Sequence, residues 1–241
     1  MIIKKLINLF INKNKLCSTP NQHAPKPSIK TSANEIYVNG YQEYIITRNS
    51  IKPSSSSYDL TKKTELLSKY YKGEFIKGKT FLDLGSASGY FTFMAILNDC
   101  KNATAIDIDK EHLKIMETIK KEYNINNINI ISENIDNYNG SADIVNALSI
   151  IHWIFSCTSI LGSMDKMVSL LRNMTKEVLF IEWIDTSDEA IKYFKHLDYN
   201  KKNTDQSYNY ENFIFELNKQ FSSVEMIGKT RNTRKLFKAN T

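Results

Sequence analysis

The chain has 241 residues, 41% hydrophobic and 24% charged, with 32 basic against 26 acidic side chains and a formal net charge of +6. That is enough for one α/β-sized domain plus an extension, and the composition excludes wholesale disorder, collagen-like repeats and a multi-spanning membrane protein. All but four of the basic residues are lysine, in a chain rich in Ile and Asn. A/T-rich codons account for that bias as well as an anionic partner does, so the charge by itself does not predict nucleic-acid binding. Cys17, Cys100 and Cys157 are widely spaced without CxxC, and the four histidines form no HxxxH. Neither a disulfide framework nor a metal site is indicated, and a reducing, cytoplasmic setting is expected.

Residues 1–17 carry Ile3, Leu6, Ile7 and Phe10 at helical spacing opposite Lys4, Lys5, Asn8 and Lys15. This is a basic amphipathic helix, too short in its apolar run to span a bilayer. It is expected either to dock on the body or to make peripheral membrane contact. Residues 18–34 hold three of the four prolines and read as a linker, so residues 1–34 form an extension and 35–241 the folded domain. Within the domain, residues 35–72 precede the core, with a helix from Asp59 ended by Gly73.

The core, residues 73–241, alternates. Thr80–Leu84 reads as a buried strand, Tyr90–Asn98 as a helix, Ala103–Ile108 as a strand, and Lys110–Tyr123 as a helix capped by Asp109. Strands follow over 128–131 and 143–150, a helix over Ser163–Met174 and a strand over Glu177–Ile184. Such alternation means βαβ units and a mostly parallel sheet covered on both faces. Thr186-Ser187-Asp188-Glu189 reads as a capping box opening a helix over Ala190, Ile191 and Phe194. A helix over Tyr210–Phe221 precedes two runs, 223–227 and 235–238, close enough only for an antiparallel hairpin.

In an open α/β sheet the ligand lies beyond the carboxyl ends of the strands. The first strand–helix turn there reads Asp83-Leu84-Gly85-Ser86-Ala87-Ser88-Gly89-Tyr90. Its glycines allow a left-handed backbone and close approach, and the free amides around Ser88–Tyr90 suit an anion. Asp83 adds a negative charge, so the turn suits a ligand bearing both an amine and a carboxylate. Asp107 ends the next strand at the offset where an acidic residue accepts from ribose hydroxyls.

These residues resemble the class I S-adenosylmethionine-dependent methyltransferases, whose first motif is D-x-G-x-G-x-G followed by an acidic residue closing the second strand. Asp83, Gly85 and Gly89 match, and Ala87 stands where the middle glycine is commonest. The resemblance implies a seven-stranded mostly parallel sheet with a C-terminal antiparallel hairpin, a helical cap over residues 35–72 that closes over cofactor and acceptor, and S-adenosylmethionine as cofactor. The turn (Asp83, Gly85, Ser86, Ala87, Gly89) would hold the methionine moiety, Asp107 the ribose with Ile108 beside it, and Asn134 or Glu133 the adenine. No NPPY-type tetrapeptide or Pro-Cys pair follows the fourth strand, which argues against base and glutamine amino-methylation and cytosine carbon methylation. His152 is the candidate general base, or else a wedged structural histidine. Trp153, Phe155 and Trp183 read as core, Glu182 as a rim carboxylate paired with a lysine, and Arg231 and Arg234 as a solvated hairpin loop. The expected activity is methyl transfer to an oxygen or nitrogen of a small-molecule or glycan-type acceptor by a monomeric or weakly associating enzyme. An RNA methyltransferase and a non-catalytic cofactor-binding partner protein are the alternatives.

Overall fold

The computed structural model describes residues 26–157, 162–192 and 208–241. The basic segment 1–17, residues 18–25 of the Pro-containing stretch and Phe194 lie outside the described residues.

The N-terminal part of the domain departs from the expected helical cap. Four short strands, β1 (Ser28–Thr31), β2 (Ile36–Asn39), β3 (Tyr44–Ile46) and β4 (Ile51–Pro53), form an antiparallel meander in sequential order. The cause is a two-residue period: Ile36 and Val38 are buried while Tyr37 and Asn39 face out, a strand signature that a helix cannot satisfy. β1 also falls inside the stretch read as linker, paired with β2 from Ser28↔Asn39 to Thr31↔Ile36. Only α1 (Tyr58–Leu67) is helical here, burying Leu60, Lys63 and Leu67.

The core follows as β5 (Thr80–Leu84), α2 (Tyr90–Leu97), β6 (Asn102–Asp107), α3 (Lys110–Glu122), β7 (Ile128–Ser132), β8 (Ala142–Ala147), α4 (Ile151–Cys157), α5 (Met164–Met174), β9 (Thr175–Ile184), α6 (Glu189–Lys192), α7 (Tyr210–Gln220), β10 (Ser223–Arg231) and β11 (Arg234–Asn240). The seven-stranded sheet runs β10-β11-β9-β8-β5-β6-β7. Its central strands are parallel and β11 pairs antiparallel with both β9 and β10, the sheet that the sequence implies. The chain winds outward from β5 through β6 to β7, then returns to β5's other side as β8. Strand order therefore reverses between β5 and β8, which opens a crevice at their carboxyl ends.

Alternate side chains feed two cores. Phe81, Ala103, Ala105 and Phe180 pack under α2, α3 and the meander. Leu82, Ile106, Val145, Leu179 and Trp183 pack under α4, α5 and α7. Phe155 and Trp183 are core residues, as expected, with Trp183 stacked 4.6 Å from the Tyr208 ring.

Three boundaries move for local reasons. β8 stops at Ala147 because Ser149 turns left-handed (φ 54°). The hairpin leaves only Asn232-Thr233 between its strands, because Thr230 and Arg231 have partners across the fold, Glu182 and Asp59. α6 is capped by Asp188, whose carboxylate accepts from the Ala190 amide at 2.9 Å, rather than by Thr186.

The meander is joined to the first strand–helix turn by a buried bond, the Tyr44 hydroxyl donating to the Ser88 carbonyl at 2.5 Å. Tyr44→Phe strands that carbonyl and should lower unfolding free energy by about 1–3 kcal/mol, read as a shifted urea midpoint at unchanged slope.

Candidate active site

The turn joining β5 to α2 packs three left-handed residues into five: Gly85 (φ 68°), Ala87 (φ 47°) and Gly89 (φ 86°). Ala87 is the one with a side chain, at a cost of roughly 1–2 kcal/mol. What holds it is its amide, which donates to Asp107 Oδ2 at 2.8 Å. Asp107 Oδ1 accepts from the Asp109 amide at 2.9 Å, so one carboxylate at the end of β6 ties down both the turn and the start of α3. Burial raises the Asp107 pKa while these backbone donors oppose the rise. Asp109 has the plain role of helix cap, accepting from the Glu111 amide.

The glycines take the left-handed backbone that the sequence reading expects of them. A Cβ on Gly85 would lie 2.7 Å from Ile150 Cδ1, and one on Gly89 would strike the Met116 methyl. Both hold the positive φ that favours glycine, and the atoms a Cβ would meet are the far ends of flexible side chains. The expected open amides at the start of α2 are also partly occupied: Tyr90 donates to Gln42 Oε1 at 3.1 Å and Gly89 to the Ser86 carbonyl at 2.9 Å. Gln42 comes from the loop between β2 and β3, so the meander itself caps α2. Ser86 and Ser88 are buried; Ser88 Oγ lies 2.7 Å from His112 Nδ1.

Asp83 is 3% exposed. It accepts from Thr92 Oγ1 at 2.7 Å and from Asn146 Nδ2 at 3.1 Å, and the Tyr71 hydroxyl donates to Asn146 Oδ1 at 2.9 Å. Burial pushes its pKa up to about 6 against the pull of these two donors. Asn146 and Thr92 escape sequence reasoning because each becomes significant only through the carboxylate it meets. Just past β6, Ile108 is 57% exposed, a large apolar side chain left uncovered beside Asp107. Asn134 is exposed at the head of the short turn Ile135–Asn137 and makes no cap bond.

On the other side of the crevice His152 lies in the first turn of α4, 3% exposed. Burial first, and then the nearby Arg234, lower its pKa to about 3, so the imidazole is neutral and a weak proton acceptor. Glu182, expected at the rim, is wholly buried and pairs with Lys63 at 2.8 Å. Arg234 leaves the expected solvated loop for the interior, gripping Asp188 through Nε (2.8 Å) and Nη2 (2.9 Å). Arg231 pairs with Asp59 of α1. Among the described residues there is no metal-ligand cluster and no helix long and apolar enough to cross a membrane.

Residues 76–217 match the family model described as a methyltransferase domain. The chain belongs to that family. Its fold and cofactor class are those of the class I S-adenosylmethionine-dependent methyltransferases. No curated protein matches the sequence. Among solved structures, the N-methyltransferase NodS from Bradyrhizobium japonicum WM9 aligns at 14% identity over 78% of this chain and 98% of its own, TM-score 0.56. The magnesium protoporphyrin IX methyltransferase ChlM from Synechocystis PCC 6803, solved with bound SAH, aligns at 12% identity over 76% of this chain and 82% of its own, TM-score 0.52. The bifunctional kinase-methyltransferase WbdD aligns at 16% identity over 76% of this chain but only 38% of its own, TM-score 0.54. The chain likewise spans only 61% of PH1948 from Pyrococcus horikoshii, at TM-score 0.42, an overlap that carries no argument.

The His152 shift has a definite sign in stability. Between its ordinary value near 6.5 and about 3 the unfolded chain binds a proton that the folded chain refuses, so this group's contribution is present above pH 6.5 and lost as pH falls. His152→Gln should therefore lose less stability than the parent between pH 7 and pH 4, measured as the difference in denaturant midpoints.

Proposed function

We propose that this methyltransferase moves the methyl group of S-adenosylmethionine to an oxygen or nitrogen of a neutral, polar small-molecule or glycan-type acceptor. The observation that carries the cofactor pose is the pair of acidic residues flanking one left-handed turn. Asp83 would take the ammonium of the methionine moiety, with Gly85, Ser86, Ala87 and Gly89 lining it, and Asp107 the ribose hydroxyls. Ile108 offers an uncovered apolar face to adenine, and Asn134 an amide at its edge. These residues fit the group: a buried carboxylate with a raised pKa gains most from a cation, and an exposed isoleucine gains most from a flat apolar ring.

The cofactor supplies a methyl on a positively charged sulfur, open to in-line displacement, so the protein's task is alignment before proton transfer. An oxygen acceptor sheds its proton once the new C–O bond has made it strongly acidic, and His152 can receive that proton even with a pKa about 3. Neutrality of the acceptor follows from the charges nearby. Arg231 and Arg234, the cations that an anionic acceptor would seek, are held by Asp59 and Asp188.

Calorimetry with S-adenosylhomocysteine across pH 5 to 7.5 tests the pose. The ligand's ammonium favours ionised Asp83, whose pKa is about 6 in the free protein, so affinity should hold above pH 6 and fall up to about tenfold by pH 5. Asp83→Asn should abolish that dependence and weaken binding tenfold or more without lowering the unfolding midpoint at pH 7. A flat profile in the parent counts against the Asp83 contact. Label from methyl-tritiated S-adenosylmethionine should pass to a neutral sugar or alcohol panel with the parent and much more slowly with His152→Ala; equal rates would dismiss the histidine.

A further inference from the structure

Beyond the cofactor contacts lies a buried polar cluster assembled from distant parts of the chain. Lys63 of α1 donates to Ser149 Oγ at 2.6 Å and pairs with Glu182 Oε2 at 2.8 Å; Ser149 Oγ donates to the same carboxylate oxygen at 2.8 Å. Thr230 of β10 donates to the other Glu182 oxygen, and Arg234 Nη1 lies 3.3 Å from Ser149 Oγ. Lys63 and Glu182 are both buried. Their pairing takes two charges out of water at a penalty of several kcal/mol per ion, which apolar side chains of similar size would avoid. Packing alone does not call for it.

The cluster converges on one hydroxyl, and that residue is strained. Ser149 has φ 54°, a conformation costly for a residue with a Cβ and retained where surrounding contacts over-determine it. It follows β8 by two residues, on the acceptor side of the strand-order reversal. The residue after it, Ile150, is the side chain that lies against Gly85, within 2.7 Å of where a Cβ there would stand. The bend at Ser149 thus lays Ile150 across from β8 onto the cofactor turn at the end of β5.

We propose that Ser149, pinned by Lys63 and Glu182, is a positioning residue that sets the wall of the cofactor crevice through Ile150. Three tethers on its hydroxyl hold the left-handed bend. The bend holds Ile150 against Gly85, and the crevice keeps the width that the methionine end of the cofactor needs. α1 is thereby part of the cofactor site, which it also meets where the Thr64 hydroxyl donates to the Tyr90 hydroxyl at 3.0 Å. This rests on the cofactor reading above.

The test uses S-adenosylhomocysteine as the probe, by calorimetry on the full chain, beside urea unfolding of each variant. Ser149→Ala keeps the backbone strain and loses every tether, and should weaken binding about tenfold. Ser149→Gly adopts the bend without strain but is not held in it, and should weaken binding about threefold. Lys63→Met alone leaves Glu182 buried and unpaired, so the pair is removed together as Lys63→Met/Glu182→Met. That variant should unfold at a midpoint no lower than the parent and still bind about tenfold more weakly, while Lys63→Arg stays within threefold. A merely structural cluster would move the midpoints and leave affinity alone. Affinity within twofold of the parent in both Ser149→Ala and the double variant, each folded, overturns the proposal while the parent's binding preserves the cofactor reading. Absence of binding by the parent overturns the cofactor reading and the proposal with it.

Discussion

A carboxylate closed off from solvent in the middle of the sheet's carboxyl edge organises this molecule. Asp83 gathers a hydroxyl from α2 and an amide from β8, and that amide is oriented by a tyrosine just past α1. Three elements on both sides of the strand-order reversal therefore meet at one side chain. Its hydrogen bonds do not cancel the burial, because its pKa still stands at about 6, above the usual carboxylate range. The free protein carries that penalty, and a cation placed beside Asp83 relieves it.

Charge elsewhere is handled in the opposite manner. The net +6 of the chain suggests open cationic surface, yet the two arginines nearest the acceptor side are committed to Asp59 and Asp188, and the buried lysine to Glu182. These ions are consequently spent on one another. Each ion pair joins segments remote in sequence: α1 to β9, α1 to the hairpin, and the hairpin to the turn before α6. The short meander works alongside them, since Gln42 and Tyr44 reach the glycine turn from a sheet that shares no strand with the main one.

Read alone, the sequence determined what local periodicity and local chemistry can determine. Runs such as Thr80–Leu84 and Lys110–Tyr123 carry their own period, so, although β8 ends three residues early, β10 ends four residues late and the helix Ile151–Cys157 was missed, the parallel sheet, most of its helices and the antiparallel end were legible. So was the turn from Asp83 to Gly89 with Asp107 beyond it, because the βα geometry repeats at fixed spacing and the left-handed residues announce themselves. Over 36–53 the family resemblance pointed to a helical cap, whereas the two-residue period of Ile36 and Val38 makes strands. Only the tertiary structure decided which polar groups were spent on one another. Glu182, Arg234 and His152 look like rim residues in a string of letters, because nothing within a few positions shows the partner that buries them. Lys63 with Ser149, and Thr92 with Asp83, acquire meaning only when chain segments up to 86 residues apart are brought within hydrogen-bond distance. Periodicity is a property of neighbours in sequence, whereas desolvation and pairing are properties of neighbours in space.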